Sequence, residues 1–474
     1  MSTIKKLPTG VPGLDVITYG GIPQGRTTLI TGRSGAGKSI LSLQIACNLA
    51  RMGIKTVILS IEETAEDLVA SADILGFDLA GRVKDGMVVL TDLTRPMDGP
   101  THVSGNFDVE GLVHLVSELV KKSGAAAVVL DSATALFSPR PSEAHLRNHF
   151  FRLVSSFRQL GLTAVMTAEA PADYGQLTTL GVEDFVCDTV LVLRNLVDGE
   201  RRRRSIEVHK YRRSPHYKGE FPCTMTMQGL TVFPLDARQV DELSEDARLP
   251  SGVKGLDEMT HGGWLRDSIV LVRGPSGSGK TTLAGMYARA GALRGERVIY
   301  YGFEETKPIL LRNFTKVGLS LKEFETAGNL KVECRYPEAT SPEDLLVELR
   351  AGLAFFKPSL IVVDSISSIE HSTSERGFRQ FIVGLSSLLR EHSRSALLTQ
   401  TIGTFVENDA APPYLSTIPD AILLMDYSRE SHGLERTMAV LKMRGSEHSS
   451  AEHRMTIVSG GLRVEPLGKG SERG

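Results

Sequence analysis

Short apolar runs alternate with longer mixed stretches, and they do so twice along the chain. Thr28-Leu29-Ile30-Thr31 reads as a buried strand, and after a glycine-rich gap Ile40 to Ala46 reads as a helix with one apolar face. Thr56 to Ser60 reads as the next strand, with Ala126 to Leu130 and Leu162 to Thr167 as further buried strands. Ile269-Val270-Leu271-Val272 opens a second series of the same kind. Alternating strand and helix predicts an α/β fold, each domain a mainly parallel sheet covered by helices. Ligands of such sheets bind at the carboxyl ends of the strands, so the residues just after each apolar run matter most.

The two series are copies of one pattern. Thr9-Gly10-Val11-Pro12-Gly13-Leu14-Asp15 matches Ser251-Gly252-Val253-Lys254-Gly255-Leu256-Asp257. Ile61-Glu62-Glu63-Thr64 matches Phe303-Glu304-Glu305-Thr306, and Val128 to Ser132 matches Ile361 to Ser365. Late in each copy, His209-Lys210-Tyr211-Arg212 matches Leu441-Lys442-Met443-Arg444. The unit of repetition is a whole domain. Residues 1–234 form the first and 251–474 the second, joined by a polar, acidic linker over 235–250.

Each copy contains G-x-x-x-x-G-K-[ST] directly after its first strand: Gly32-Arg33-Ser34-Gly35-Ala36-Gly37-Lys38-Ser39 and Gly274-Pro275-Ser276-Gly277-Ser278-Gly279-Lys280-Thr281. Glycines let backbone N–H groups turn inward around phosphate oxygens at a helix N-terminus. Lys38 and Lys280 are expected to reach the β- and γ-phosphates of ATP, and Ser39 and Thr281 to ligate Mg²⁺. Asp131 and Asp364 end apolar strands. Either could cap a helix, but recurrence behind intact phosphate loops favours a Mg²⁺ role. Glu62-Glu63 and Glu304-Glu305 follow the next strand, where a carboxylate can polarise a nucleophile; they also suit an acidic first helical turn. Glu62 and Glu304 are taken as the bases, with Glu63 and Glu305 in support.

Lys210 with Arg212, and Lys442 with Arg444, stand at alternating positions, as a γ-phosphate clamp requires. A solvated edge strand is the bland alternative. If these residues lie far from their own loop they act in trans, which implies a ring. Arg201-Arg202-Arg203-Arg204 follows a turn signal at Val197-Asp198-Gly199-Glu200 and reads as a solvated hairpin paired to nearby acids.

Composition narrows the partners. A net charge of -2 gives no drive toward nucleic acid or anionic membrane. Cys47, Cys187, Cys223 and Cys334 are scattered without metal spacing and are expected to be reduced thiols. No apolar stretch is long enough to span a bilayer and no leader is evident, so a cytoplasmic protein is expected.

With these residues in view, the chain resembles the KaiC family of tandem-domain ATPases and autokinases of the cyanobacterial circadian oscillator. The resemblance runs through nearly the whole chain, including Gly199 to Ser205, Ser251 to Met259, Phe378 to Gly384 and Lys442 to His448. It implies RecA-like P-loop domains stacked as a two-tiered homohexamer with ATP between neighbours. It implies a first domain that hydrolyses ATP slowly and a second that phosphorylates itself. The matching acceptors are Ser416 and Thr417. The repeat sets Asp420 against Asp188, and hence Ser416 and Thr417 against Asp184 and Phe185, so the first domain has no hydroxyl there.

Two departures stand out. Ala411 occupies the place of a third family threonine, and the longer C-terminal segment that binds KaiA is missing, so KaiA regulation is not expected. Thr94 to Phe107 corresponds to the KaiB-docking region and keeps a KaiB-like partner in view. The competing reading is a RecA- or helicase-like DNA-dependent ATPase, which the charge and the lack of an added DNA-binding module disfavour.

Overall fold

A computed structural model describes residues 4–94, 109–137, 142–198, 201–234, 247–337, 340–403, 413–430 and 433–467. The chain divides into two compact units, Met1–Pro234 and Leu235–Gly474.

In the first unit one sheet runs in the order Gly229–Val232, Glu220–Thr226, Arg201–Tyr211, Thr189–Asp198, Thr27–Gly32, Thr163–Glu169, Ala127–Asp131, Thr56–Ser60, Val88–Asp92. The six strands from Thr189–Asp198 to Val88–Asp92 are parallel. The other three turn back as an antiparallel tail. The central strands are buried on both faces, which is why they read as continuous apolar runs. In the tail burial alternates: Ile206, Val208 and Tyr211 point inward while their neighbours are wetter. The second unit repeats this architecture in another nine-stranded sheet, with Ile269–Gly274 between Ser395–Thr401 and Ala421–Glu430.

The Lys38–Arg51 helix differs from expectation. Instead of one apolar face it is buried almost all round, from Leu41 to Ala50. It packs on the central strands and also against Gly229–Val232, the edge strand of the same sheet, so its polar residues are used internally. Gln44 accepts from the Leu230 N–H at 2.8 Å, and Asn48 donates to the Thr9 carbonyl at 3.0 Å.

The repeated Thr/Ser-Gly-Val motif has a local cause. Asp15 accepts from the Thr9 N–H at 2.8 Å, and Asp257 from the Ser251 N–H at 2.6 Å, closing matching turns. A Cβ on Gly13 would sit 2.0 Å from the Val232 carbonyl oxygen, and one on Gly255 2.0 Å from that of Val464. Only glycine lets each turn pack on the last strand of its unit. Arg248–Leu249, within the stretch expected to be linker, pairs with Trp264–Leu265; residues 235–246 lie outside the described residues.

Candidate active sites

Both phosphate loops sit between a central strand and the buried helix after it, Lys38–Arg51 or Lys280–Leu293. Gly37 and Gly279 precede these helices with φ of 106° and 107°, a conformation that favours glycine. The loops therefore present unpaired first-turn N–H groups at a helix start. Lys38 donates to the Arg33 carbonyl at 3.1 Å, and Lys280 to those of Gly274 and Pro275 at 2.7 and 2.9 Å. Each ammonium thus curls over its own loop. Burial lowers the pKa of both, and nearby acids oppose the shift.

Parallel strands bring the acids to the same end of the sheet. Asp131 is in register with Ser60, two residues before Glu62, and Asp364 with Gly302, two before Glu304. Asp131 and Asp364 are buried, and each accepts on Oδ1 from a threonine of the neighbouring strand, Thr167 or Thr399. Glu62 Oε1 accepts from the Ser132 hydroxyl at 3.4 Å. Burial, then the charges of Asp131 and Glu169, push the Glu62 carboxyl above its usual range. Burial and Asp131 do the same for Glu63. In the second unit Glu305 Oε2 accepts from Asn313 at 3.0 Å.

Glu169 is a member of the first site that the sequence reading missed. It ends the Thr163–Glu169 strand in register with Gly32, and among the acids it opposes the lowering of Lys38 most strongly. Its position at the end of an apolar strand was the available signal. The repeat hid it, because the matching residue is Thr401.

The expected clamp residues lie elsewhere. Lys210 donates to the Asp184 carbonyl at 2.6 Å, and Arg212 to that of Phe185 at 2.9 Å. Lys442 reaches the carbonyls of Ser416 and Pro419, both at 2.8 Å, and Arg444 that of Thr417 at 2.6 Å. Tyr211 is in register with Thr189, and Thr189 with Thr28, so the pair lies at the start of the Thr27–Gly32 strand, the end opposite the phosphate loop. A register shift explains the aim. Val190 faces Lys210 but Leu191 faces Val208, and Ile422 faces Lys442 but Leu423 faces Val440. The extra residue, His209 or Leu441, turns the strand end in both units.

Ser416 and Thr417 close the short helix Pro413–Thr417, and Asp184 and Phe185 lie in its counterpart Glu183–Val186. The exposure pattern is the same: Glu183 and Leu415 buried, Asp184 and Ser416 half-buried, Phe185 and Thr417 exposed. Asp188 and Asp420 anchor the segments through Arg158 at 3.0 Å and Arg390 at 3.1 Å.

The arginine run forms a strand, with Arg201 opposite Asp198 and an Arg203–Asp198 ion pair at 3.1 Å. The four cysteines are free thiols. No described helix is long and apolar enough to cross a membrane. Ala411 and residues 95–107 of the expected docking stretch lie outside the described residues. Among the described residues no group of three or more His, Cys, Asp or Glu side chains could hold a metal. A hydroxyl and one buried aspartate beside a phosphate loop do fit Mg²⁺, which takes few protein oxygens and completes its shell with phosphate and water.

The family model described as "ATPase: KaiC" matches twice, over residues 7–237 and 249–469. The chain is 37% identical over 472 residues to the circadian clock oscillator protein KaiC of Parathermosynechococcus lividus, covering 99% of this chain and 87% of that protein. It is 38% identical over 464 residues to the circadian clock protein KaiC3 of Synechocystis, covering 97% and 92%.

Proposed function

The chain belongs to the KaiC family of ATPases, and from that premise we propose that it is a ring-forming ATPase and autokinase that divides the two activities between its units. The first unit directs ATP hydrolysis, and the second transfers the γ-phosphate to Ser416 or Thr417. The observation that carries the reading is the pair of matched short helices. They share their anchoring aspartate and their Lys/Arg contacts, but only the second has hydroxyls.

The loop N–H groups and Lys38 or Lys280 hold the phosphates. Ser39 with Asp131, and Thr281 with Asp364, would hold Mg²⁺, which when bound would neutralise phosphate charge. Glu62 accepts the proton of the attacking water, which its raised affinity for protons suits. Glu304 does the same for the Ser416 or Thr417 hydroxyl. The oxygen–phosphorus bond to ADP breaks as the new bond forms, and ADP leaves with the electron pair. Lys210, Arg212, Lys442 and Arg444 lie away from their own loops and serve the γ-phosphate of a neighbouring subunit, which makes a homohexameric ring the functional form. A timer or circadian role, and a KaiB-like partner at the first unit, belong to the same reading.

The test is incubation of purified protein with γ-labelled ATP, followed by site mapping. Label on Ser416 and Thr417 is expected. Turnover without any label at long times sinks the autokinase assignment, and turnover stimulated by DNA would favour a DNA motor.

A further inference from the structure

Asp131 and Asp364 hold equivalent places, but their second carboxylate oxygens meet different neighbours. Tyr300 donates its phenol O–H to Asp364 Oδ2 at 2.6 Å, while Thr399 donates to Oδ1 at 2.5 Å. The repeat puts Ile58 in the place of Tyr300, and isoleucine has nothing to donate. Both residues are fully buried at the third position of equivalent strands, Thr56–Ser60 and Val298–Gly302.

Tyr300 is not a loosely held side chain. Its ring meets Phe314 edge-on, with centroids 5.8 Å apart, so the hydroxyl is aimed by packing. The bond it makes is charge-assisted and short, and it fixes the rotation of the carboxylate about its Cβ–Cγ bond. Filling this space required only a ring; the hydroxyl adds direction.

We propose that Tyr300 is a positioning residue for the metal of the second site. With both oxygens of Asp364 tied to buried donors, the carboxylate plane and its remaining lone pairs are held in one orientation. Asp131 has the threonine bond without a phenol, so the two sites hold their metal differently. The inference rests on the reading that Asp364 serves Mg²⁺. Partners that orient a metal-binding carboxylate are worth roughly 10- to 100-fold in metal affinity.

The test is Mn²⁺ titration of the full chain loaded with a non-hydrolysable ATP analogue, with free metal read by electron paramagnetic resonance. Tyr300→Phe is expected to weaken one class of sites by about tenfold and leave the other unchanged. Asp364→Asn should weaken the same class. Tyr300→Leu, which removes the hydroxyl with a different filler, guards against an effect of local misfolding in one variant and should match Tyr300→Phe. Unchanged Mn²⁺ affinity in both tyrosine variants, with Asp364→Asn weakened, overturns the role of Tyr300, and a lowered melting temperature alone would mark it as structural. If Asp364→Asn is also unchanged, the metal reading of Asp364 itself fails.

Discussion

The ammonium of Lys442 donates to the backbone carbonyl of Ser416 at 2.8 Å, so a proposed clamp cation and a proposed phosphoacceptor are tied together within one unit. Arg444 makes the matching contact with Thr417 at 2.6 Å. If the clamp reaches a neighbour's γ-phosphate, the acceptor hydroxyls travel with it. Lys442→Met is therefore expected to lower labelling of Ser416 and Thr417 by about 10²- to 10³-fold, the cost of losing one donor to a developing charge. Bulk ATP hydrolysis by the first unit should be retained. Labelling at the wild-type rate would show that the contact only closes a helix.

The two glutamate pairs should separate the activities. Glu62→Gln is expected to lower bulk hydrolysis by roughly 10²- to 10⁴-fold, the usual worth of a general base, and to spare phosphorylation. Glu304→Gln should do the reverse. Parallel phosphate-release and labelling assays on each variant decide it, and phosphorylation lost in Glu62→Gln with hydrolysis intact would reverse the assignment.

The repeat made the architecture legible in the sequence. Strand ends, phosphate loops and clamp residues recur, and recurrence raised each above its bland reading. The same logic failed wherever the units diverge. Glu169 faces Thr401 in the repeat, and Tyr300 faces Ile58, so neither could gain support from its counterpart. The contacts of Lys210 with Asp184 and of Lys442 with Ser416 were invisible for another reason. They join segments far apart in sequence, through backbone carbonyls that carry no residue identity. The register shift at His209 and Leu441 that aims them leaves no mark in the pattern of apolar residues.

Glu169 should act through charge. It raises the pKa of Lys38, against the lowering by burial, and it raises that of Glu62. Glu169→Gln removes both effects. A base works only when deprotonated, so first-unit hydrolysis falls as pH drops through the raised Glu62 value. In the variant that acid limb should move to lower pH. The pH profile of hydrolysis, measured in a Ser416→Ala/Thr417→Ala background, checks this, and an unmoved acid limb would remove Glu169 from the site's electrostatics.

Glu183 gives a stability test that is independent of catalysis. It is fully buried at the start of the short helix carrying Asp184 and Phe185, where the second unit has Leu415. Its Oε2 accepts from the Val182 N–H at 3.1 Å, while Oε1 has no partner. Burial raises its pKa, and the hydrogen bond from the Val182 N–H opposes this only in part. The folded protein therefore holds the Glu183 proton more tightly than the unfolded chain does. Its favourable contribution is complete below the unfolded value, near pH 4.3 in roughly unperturbed glutamates, and is lost as pH rises toward the folded value. Glu183→Gln keeps the shape and cannot ionise. The melting temperatures of variant and wild type should change little relative to each other in acid, and the variant should gain on the wild type as pH rises, until Glu183 is ionised in both states. Melting curves from acid to neutral pH measure this, and a gap that stays constant would mean that Glu183 carries no raised affinity for its proton.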